Sequence, residues 1–387
     1  MATSSSTASA VPLLRWRRLF DKPKFETHKQ FADKLEFFMK KVRVNASRVY
    51  DILIENGILD RAGELSATVK KPCRTVILTD SNVAPLYADR LEKSLCAAGF
   101  ETLRFVIEAG EQSKSAESYL ALLSFLAQNK ITRSDCLFAL GGGVVGDLCG
   151  FCAATYLRGI EFIQLPTTLL AMVDSSVGGK TAIDIPEGKN LVGAFYQPSL
   201  VLCDPEVLGT LPDGVFADGC AEVIKYGVIN DRSLYKKLRE PILPQIEDVI
   251  ERCVCDKRDV VDADERDVGV RQLLNLGHTA AHSIEILSHF EISHGSAVAI
   301  GMVIIMRAAL SLGLCDAHEL DDLISMLRAY KLPVDCSYTA EELAAVAMGD
   351  KKRTGGFITL VMPYSIGDSR LYRVSVDSLE DIFRRGL

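Results

Sequence analysis

Residues 136–147 read CLFALGGGVVGD, in which a strand-like apolar run leads directly into a glycine-rich turn and the start of a helix. Similar apolar runs occur at Thr75–Thr79, Leu103–Ile107, Phe162–Leu165 and Leu200–Cys203. Helical patterns such as Val83–Ala98 and Ser115–Gln128 separate several of these runs. This alternation predicts an open α/β fold with a mainly parallel sheet.

The pattern of the sequence changes after Pro212, where long helical patterns dominate and only Phe357–Met362 is clearly typical of a strand. We therefore predict an α/β domain at residues 39–208 and a mainly helical domain at 209–387, with a binding site between them. Residues 1–38 begin with a Ser/Thr/Ala-rich segment and resemble an organelle transit peptide. Because the strand pattern begins only after Met39, we favour an N-terminal extension outside the fold.

The charge and composition of the chain argue against some classes of binding partner. A net charge of −7 argues against nucleic acid as the main partner, and no apolar run approaches the roughly 20 residues that span a bilayer. The eleven cysteines are scattered and many lie in apolar contexts, which favours reduced thiols in a cytoplasmic protein. The Cys149–Cys152 pair lies in a predicted helix and has no second pair at metal-ligand spacing.

The glycine-rich turn satisfies the pattern G-x-G-x-x-G at residues 141, 143 and 146. Such glycines let backbone amides approach a pyrophosphate, and a helix N-terminus favours an anion, although the same pattern also serves in plain tight turns. Asp80 closes an earlier strand, where a carboxylate can accept hydrogen bonds from ribose hydroxyls. Residues 174–181 end like a nucleotide triphosphatase loop, but Asp174 replaces its first glycine, which argues against that class.

Four of the six histidines fall within seventeen residues, at His278, His282, His289 and His294. His278 and His282 are four residues apart and therefore share one face of a helix. Glu222 and Lys225 lie one turn apart in the helical segment AEVIKYG, whose apolar neighbours indicate partial burial. A carboxylate with two histidines is typical of a catalytic zinc site, whereas the alternative is a helix with surface histidines.

Taken together, these segments resemble the 3-dehydroquinate synthase family over roughly Met39 to the C-terminus. The segments that carry the resemblance are GEQSK (110–114), GGGVVGD (141–147), ATYLRG (154–159), QLPTTLLAMVDSSVGGKTAID (164–184), GKNLVGAFYQP (188–198), AEVIKYG (221–227), RQLLNLGHTAAH (271–282), HG (294–295) and DKK (350–352). The resemblance implies a Rossmann-like, mainly parallel sheet domain followed by a mainly helical domain. It also implies an NAD-dependent and metal-dependent lyase of the shikimate pathway.

The resemblance also implies roles for individual residues. The metal, zinc or cobalt, would be bound by Glu222, His278 and His294. The NAD contacts would be Asp80, Asn82, Glu111, Lys114, Gly143, Val144, Val145, Gly146, Asp147, Thr167, Thr168, Lys180, Lys189, Val207, Leu208, Gly209 and Thr210. The substrate contacts would be Arg158, Asp174, Lys180, Asn190, Lys225, Lys257, Arg271, Asn275, His282, Lys351 and Lys352. The catalytic groups would be His282, Lys225, Asn275, Lys180 and Glu222.

The implied reaction converts 3-deoxy-D-arabino-heptulosonate 7-phosphate to 3-dehydroquinate and phosphate. It proceeds by transient oxidation with NAD, phosphate elimination, re-reduction and intramolecular aldol closure. Arg158 would reach the substrate of a partner subunit, which implies a homodimer, and His289 matches no motif position and is expected at the surface. Two alternatives remain open: another sugar-phosphate cyclase, of the 2-epi-5-epi-valiolone synthase type, or a metal-dependent polyol dehydrogenase.

Three positions depart from the family pattern. Ser296 stands where many members have an acid, Ala281 occupies a usual glycine, and Asp267 stands where glutamate is common. None of these departures removes a predicted metal ligand. The shorter carboxylate at Asp267 is the one expected to alter a residue close to the site.

Overall fold

The five apolar runs of the first half all form strands. The computed structural model describes residues 39–351 and 356–387, and the side chains of 349–351 are not described. The strands are β1 (Lys40–Asn45), β2 (Val49–Ile54), β3 (Arg74–Asp80), β4 (Glu101–Ile107), β5 (Cys136–Gly141), β6 (Glu161–Pro166), β7 (Lys180–Ile185), β8 (Gly188–Phe195), β9 (Leu200–Cys203), β10 (Phe357–Ser365) and β11 (Asp368–Ser375). Every residue of β5 and β9 is buried, as expected for central strands of a covered parallel sheet.

Seven strands form one sheet in the order β1-β2-β9-β6-β5-β3-β4. Only the β1–β2 pair at one edge is antiparallel, and all other neighbours run parallel. The predicted mainly parallel α/β sheet is therefore confirmed. Two separate antiparallel hairpins, β7–β8 and β10–β11, lie outside this sheet.

The helices between the strands cover the sheet, and those after β9 form the C-terminal part. They are α1 (Ala62–Ala67), α2 (Asp89–Ala97), α3 (Ala116–Gln128), α4 (Gly143–Thr155), α5 (Asp213–Ile229), α6 (Arg232–Lys237), α7 (Ile246–Ala263), α8 (His278–Leu287), α9 (His294–Ser311), α10 (Ala317–Ala329), α11 (Ala340–Lys351) and α12 (Leu379–Gly386). The predicted helical C-terminal part is confirmed. The predicted helix at Val83–Ala98 begins instead with a π-type turn, Ala84–Ala88, that continues into α2.

The two hairpins were missed in part by the sequence patterns. Neither β7 nor β8 was predicted, and β8 contains four consecutive exposed residues, so its apolar residues do not form a buried strand of the kind found in the main sheet. The single late strand predicted at Phe357–Met362 is β10, which continues to Ser365 and pairs with the unpredicted β11. Strand β11 is mostly polar, so its register depends on pairing with β10 rather than on its own hydrophobic pattern.

The order of the strands creates a crevice at the carboxyl ends of the neighbouring strands β3 and β5. The chain leaves β3 toward β4, whereas it leaves β5 toward β6 on the opposite side. At such a topological switch point, the loops after the two strands diverge and ligands bind outside their carboxyl ends. Asp80 ends β3 and Gly143 begins the helix that follows β5, so both borders of this crevice carry residues of the predicted NAD site.

The glycine-rich turn opens α4 as predicted. Gly142 is its N-cap residue, and a Cβ atom at Gly146 would lie 3.0 Å from Oε1 of Gln164 on β6. The third glycine of the pattern therefore allows close packing of the helix on the sheet. Cys149 and Cys152 are both buried in this helix, and all eleven cysteines are free thiols.

The predicted extension, residues 1–38, lies outside the described residues, and the predicted domain boundary after residue 208 stays a prediction. Lys40–Leu387 forms one compact unit. Within it, Lys40 of β1 donates to Asp248 and Glu251 of α7, at 2.5 and 2.6 Å. These contacts attach the first strand of the sheet to the helical part.

Helix α9 meets the length and composition of a membrane span, with a mean hydropathy of 1.5 over 18 residues. The sequence patterns did not single it out. In the structure 72% of this segment is buried inside the protein, which is also typical of the core helix of a globular protein.

Candidate metal and substrate site

Three of the C-terminal helices bring the predicted metal ligands together. Glu222 lies on α5, whereas His278 and His294 are the first residues of α8 and α9. One potential ligand atom from each of the three residues lies within 4.8 Å of the other two. Nε2 of His294 is 3.4 Å and Nε2 of His278 is 3.6 Å from the same oxygen, Oε1 of Glu222.

Glycines allow these helices to approach closely enough. A Cβ atom at Gly295, next to His294, would lie 2.3 Å from Cα of Asp218 on α5. A Cβ atom at Gly301 on α9 would lie 2.2 Å from the carbonyl oxygen of Gly277, which precedes His278. Gly277 also has a φ of +77°, a conformation that side chains other than glycine rarely adopt. Any larger residue at these positions would separate the helices that carry the ligands.

The carboxylate of Glu222 is ionised although it is only 1% exposed. Burial alone would raise its pKa, but the Lys225 ammonium, 2.5 Å from Oε2, and the two histidines lower the pKa below its ordinary value. The other oxygen, Oε1, is buried and, like Oε2, has no hydrogen-bond partner among the described residues. A buried, ionised oxygen that faces two imidazoles and lacks a partner fits a divalent cation.

The two histidines have different electrostatic surroundings. Burial, with the charge of Lys225, lowers the pKa of His278 to about 3, which keeps its imidazole neutral, the form that binds metals. Its Nδ1 lies 3.1 Å from the carbonyl oxygen of Leu276, so that Nε2 faces Glu222. Burial would also lower the pKa of His294, but the carboxylates of Glu222 and Glu285 raise it.

His282 lies one turn after His278 and beside it. The centroids of the two rings are 5.7 Å apart and the rings are nearly perpendicular, at 87°. Because His282 is exposed and is not part of the three-residue cluster, its position suits a group that meets a substrate rather than a metal. His289 lies in an exposed turn after α8, which confirms the surface position expected for it.

Three buried cations lie near the metal cluster or are linked to it through Asp174. Lys225, Lys257 and Arg271 are 1%, 5% and 2% exposed. Nζ of Lys257 donates to the Asp174 carbonyl at 2.7 Å and lies 2.9 Å from Oδ1 of Asp174. Burial lowers the pKa of Lys257 to about 8, with the charges of Arg271 and Lys225 acting in the same direction. A cluster of buried cations is suited to bind an anionic group.

Asp174 contacts two residues of this part of the site, Tyr226 and Lys257. Its Oδ1 accepts a hydrogen bond from the Tyr226 hydroxyl at 2.6 Å, in addition to its contact with Lys257. Burial would raise its pKa, but Lys257 and Lys225 lower it well below the ordinary value. Arg271 donates to the carbonyls of Glu265 and Gly178, at 2.6 and 3.1 Å. A Cβ atom at Gly178 would clash with this guanidinium.

The other predicted substrate residues lie in more exposed positions. Lys180 forms an ion pair with Asp267, the residue that departs from the family pattern. Asn275 ends a short 3-10 turn before α8 and is exposed, as is Arg158. Lys351 is the last residue of α11, its side chain is not described, and Lys352 lies outside the described residues.

The predicted NAD residues follow the carboxyl ends of the parallel strands. Asp80 ends β3 and Asn82 follows it, Glu111 and Lys114 follow β4, Gly143–Asp147 follow β5, Thr167 and Thr168 follow β6, and Val207–Thr210 follow β9. The Asp80 carboxylate accepts from the backbone N–H groups of Asn82 and Val83, at 2.9 and 3.0 Å. The hydroxyl oxygen of Thr167 is buried and has no hydrogen-bond partner in the described part of the chain.

A polar cluster joins the sheet to the β7–β8 hairpin. Nζ of Lys114 lies 2.5 Å from Asp147 of α4 and donates to Oδ1 of Asn190 on β8 at 2.5 Å. On the same hairpin, Lys189 lies 3.5 Å from Glu111 and 3.4 Å from Glu285. The structure thus connects residues predicted for NAD with residues predicted for the substrate.

Two acidic residues near the metal cluster were missed by the sequence analysis. Oε1 of Glu285 lies 3.4 Å from Nδ1 of His294, and Asp218 accepts hydrogen bonds at the start of α9. Glu285 is seven residues after His278, so the same helical spacing that joined His278 and His282 could have revealed it. Asp218 belongs to no motif, and nothing in its sequence context distinguishes it.

Comparison with known proteins assigns the chain to a family. Residues 104–218 match the family model of the 3-dehydroquinate synthase N-terminal region, and residues 219–353 match that of its C-terminal region. The chain belongs to the 3-dehydroquinate synthase family. The 3-dehydroquinate synthase of Enterococcus faecalis is 43% identical over 343 residues, which cover 87% of this chain and 96% of the relative.

Solved structures support the fold of this 3-dehydroquinate synthase family member. A 2-epi-5-epi-valiolone synthase from Streptomyces hygroscopicus, with NAD+ and Zn2+ bound, has a TM-score of 0.78 and 27% identity, and covers 89% of this chain and 98% of its own. A 2-deoxy-scyllo-inosose synthase, in complex with carbaglucose-6-phosphate, NAD+ and Co2+, has a TM-score of 0.79 at 22% identity, over 90% of this chain and 100% of its own. The second similarity concerns the fold alone.

Proposed function

We propose that the chain is a lyase that converts 3-deoxy-D-arabino-heptulosonate 7-phosphate to 3-dehydroquinate and phosphate. The observation that carries the proposal is the cluster of Glu222, His278 and His294 beside buried cations, in a chain 43% identical to a 3-dehydroquinate synthase over most of its length. An enzyme with this activity contributes to the shikimate pathway and therefore to aromatic amino acid biosynthesis.

The proposed cofactors are NAD and one zinc or cobalt ion. Glu222, His278 and His294 would hold the ion, since the unpartnered Oε1 of Glu222 and the neutral imidazole of His278 suit a divalent cation. When bound, the ion supplies Lewis acidity toward substrate oxygens, and NAD accepts a hydride and returns it. The NAD site would lie at the carboxyl edge of the sheet, in the crevice between the loops after β3 and β5.

The chain's own residues provide charge and proton handling. Lys225 stays protonated, because Glu222 and Asp174 raise its pKa against the effect of burial, and so it can stabilise negative charge that develops on the substrate. Lys257 and Arg271 add positive charge for the phosphate and carboxylate of the substrate. His282 and Asn275 are exposed beside the cluster, where they can exchange a proton or a hydrogen bond with the substrate.

The last step, aldol closure, needs the two reactive ends of one molecule to be held together. A substrate fixed at its phosphate and carboxylate by cations on different elements would keep these ends close, which replaces a bimolecular encounter. Lys180 on β7, Lys257 on α7 and Arg271 before α8 provide such separated anchors. The remaining proposed anchors are Asn190, Arg158, Lys351 and Lys352.

We further propose a cytoplasmic homodimer in which Arg158 of one subunit contributes to the site of the other. Arg158 is exposed in a turn between α4 and β6, with a φ of +67°, so its side chain is accessible to a partner subunit. Eleven free thiols support a reducing compartment. The oligomeric state is testable by sedimentation, and mixing of Arg158→Ala and Lys257→Ala subunits should restore activity if the sites are shared.

The decisive experiment measures phosphate release from 3-deoxy-D-arabino-heptulosonate 7-phosphate with purified protein. Release should require both NAD and metal, should stop when a chelator is added, and should leave NAD without net reduction. Sedoheptulose 7-phosphate, which lacks the carboxylate, is the matched substrate for the other sugar-phosphate cyclases. No release from the heptulosonate with NAD and zinc present, or preferential release from sedoheptulose 7-phosphate, would contradict the proposal.

A further inference from the structure

One carboxylate of α5 caps the helix that carries His294. Oδ1 of Asp218 accepts hydrogen bonds from the Ser293 hydroxyl at 2.6 Å, from the backbone N–H of Ser296 at 3.0 Å and from the Ser296 hydroxyl at 3.3 Å. Ser293 is the N-cap residue of α9, but its own side chain forms no capping hydrogen bond to the helix. The capping oxygen that usually comes from the N-cap residue comes here from a different helix.

Close backbone contact makes this arrangement possible. Because a Cβ atom at residue 295 would lie 2.3 Å from Cα and 2.4 Å from the carbonyl oxygen of Asp218, glycine is required there. The short aspartate side chain can then reach the exposed N–H groups of the first turn of α9. Its negative charge also lies at the positive end of the helix, where it is electrostatically favourable.

The same face of α5 therefore makes two contacts with the start of α9. Asp218 and Glu222 are four residues apart, so they lie on one side of α5. Asp218 meets the backbone of Ser296, and Glu222 meets the ring of His294, with 3.4 Å between Oε1 and Nε2. The hydrogen bonds of Asp218 therefore act on the first turn of α9, which carries His294.

We propose that Asp218 is a positioning residue for metal binding, which holds the His294 ligand at the correct distance from the Glu222 ligand. The proposal rests on the metal role of these residues proposed above. Asp218 itself does not belong to the ligand cluster. Its effect is expected on the affinity for the metal, since partners that orient metal ligands typically change that affinity by 10-fold to 100-fold.

The sequence at the start of α9 offers a specific rescue. Ser293 and residue 296 have the spacing of a capping box, S-x-x-E, in which the glutamate and serine satisfy the first N–H groups within the helix itself. Ser296→Glu would therefore supply a cap that does not depend on α5. In the presence of Asp218 the same substitution places a second carboxylate against the first, so its effect should reverse.

The experiment measures the zinc dissociation constant of the full chain by competition with a chromophoric chelator. Asp218→Ala should weaken zinc binding by about 10-fold, and Asp218→Asn, which keeps an acceptor oxygen, should weaken it less. Ser296→Glu alone should weaken binding, whereas Ser296→Glu added to Asp218→Ala should bring the affinity back to within about 3-fold of the unmodified chain. Asp231→Ala is the matched control, because Asp231 caps α6 through the N–H of Leu234 at 2.8 Å.

The control should lower the melting temperature without changing zinc affinity. An unchanged dissociation constant in Asp218→Ala would overturn the proposal. So would a double variant that regains thermal stability but not zinc affinity, because that result would show a structural role only. A chain that binds zinc but releases no phosphate would contradict the proposed reaction and leave this inference intact, whereas a chain that binds no zinc would contradict both.

Discussion

The ring of His294 lies between two carboxylates, with Oε1 of Glu285 3.4 Å from Nδ1 and Oε1 of Glu222 3.4 Å from Nε2. Glu285 is 4% exposed, so its carboxylate is largely shielded from solvent. A carboxylate on the second nitrogen fixes the orientation of a histidine ligand and increases its basicity. We therefore expect Glu285→Gln to weaken zinc binding by about 10-fold, as measured by chelator competition.

Glu291→Gln provides the control for this prediction. Glu291 lies in the exposed turn between α8 and α9, three residues before the proposed ligand His294, and its substitution should leave zinc affinity unchanged. Equal zinc affinities for Glu285→Gln and Glu291→Gln would refute the role of Glu285. Because Glu285 also contacts Lys189 at 3.4 Å, Lys189→Met separates the two contacts and should affect NAD binding more than zinc binding.

His278 and His282 lie side by side, yet we expect different effects from their removal. His278→Ala removes a ligand of the cluster, so the purified protein should contain little zinc. His282→Ala should retain zinc at the level of the unmodified chain and release phosphate more slowly, by roughly 100-fold, since general acid–base groups contribute about 10²-fold to 10⁴-fold. Metal analysis of the two purified proteins tests this prediction. A zinc-free His282→Ala protein would show that His282 also contributes to metal binding.

Lys257 is expected to control the alkaline limb of the activity profile. Its pKa is lowered to about 8, chiefly by burial, so its charge is lost as the pH rises through that value. If this charge holds an anionic group of the substrate, kcat/KM should fall about tenfold per pH unit above pH 8. Lys257→Arg keeps a cation at every accessible pH, so the fall should move to a higher pH.

The control for Lys257 is another lysine-to-arginine exchange. Lys236→Arg, on the exposed face of α6, should leave the profile unchanged. A profile of Lys257→Arg that still falls at pH 8, with kcat/KM at pH 7 preserved, would assign the alkaline limb to a different group.

The sequence predicted the sheet better than the hairpins for a physical reason. The central strands are covered on both faces, so each is a continuous apolar run that stands out from its neighbours. Strands β8 and β11 have few buried positions and depend on partners for their structure, so no local pattern marks them. The helix predicted at Val83–Ala98 differs from the structure in type at its start, because the hydrophobic pattern does not separate the π-type turn Ala84–Ala88 from the α-helix that follows it.

The candidate site, like the fold, could be predicted only in part from the sequence. The ligand residues lie in dense motifs, and their spacing on helices indicates a shared face, so Glu222, His278 and His294 could be selected from the sequence. Their convergence depends on Gly295 and Gly301, which allow three helices to touch. Asp218 and the Asp174–Tyr226 contact depend on packing between elements distant in the chain, and spacing within one helix carries no information on such contacts.

The titration of Asp256 is expected to make the free energy of unfolding depend on pH, separately from the proposed metal and substrate site. Burial, followed by the charge of Asp231, raises its pKa to about 7, and its Oδ2 has no hydrogen-bond partner among the described residues. An unfolded chain releases this proton near the ordinary value of 3.8, whereas the folded chain keeps it up to about pH 7. The stabilising contribution of the protonated form is therefore present below about pH 4 and is lost as the pH rises toward 7.

We expect Asp256→Asn to stabilise the protein at pH 8 by about 1–2 kcal/mol, a value reduced from the full shift because the side chain is partly exposed. The asparagine stays neutral, so the gain should disappear at pH 4. Thermal or urea unfolding at both pH values measures the difference, with Asp321→Asn, at an exposed position on α10, as the control. If Asp256→Asn gave the same change in unfolding free energy at pH 4 and pH 8, the carboxyl would not retain its proton in the folded state.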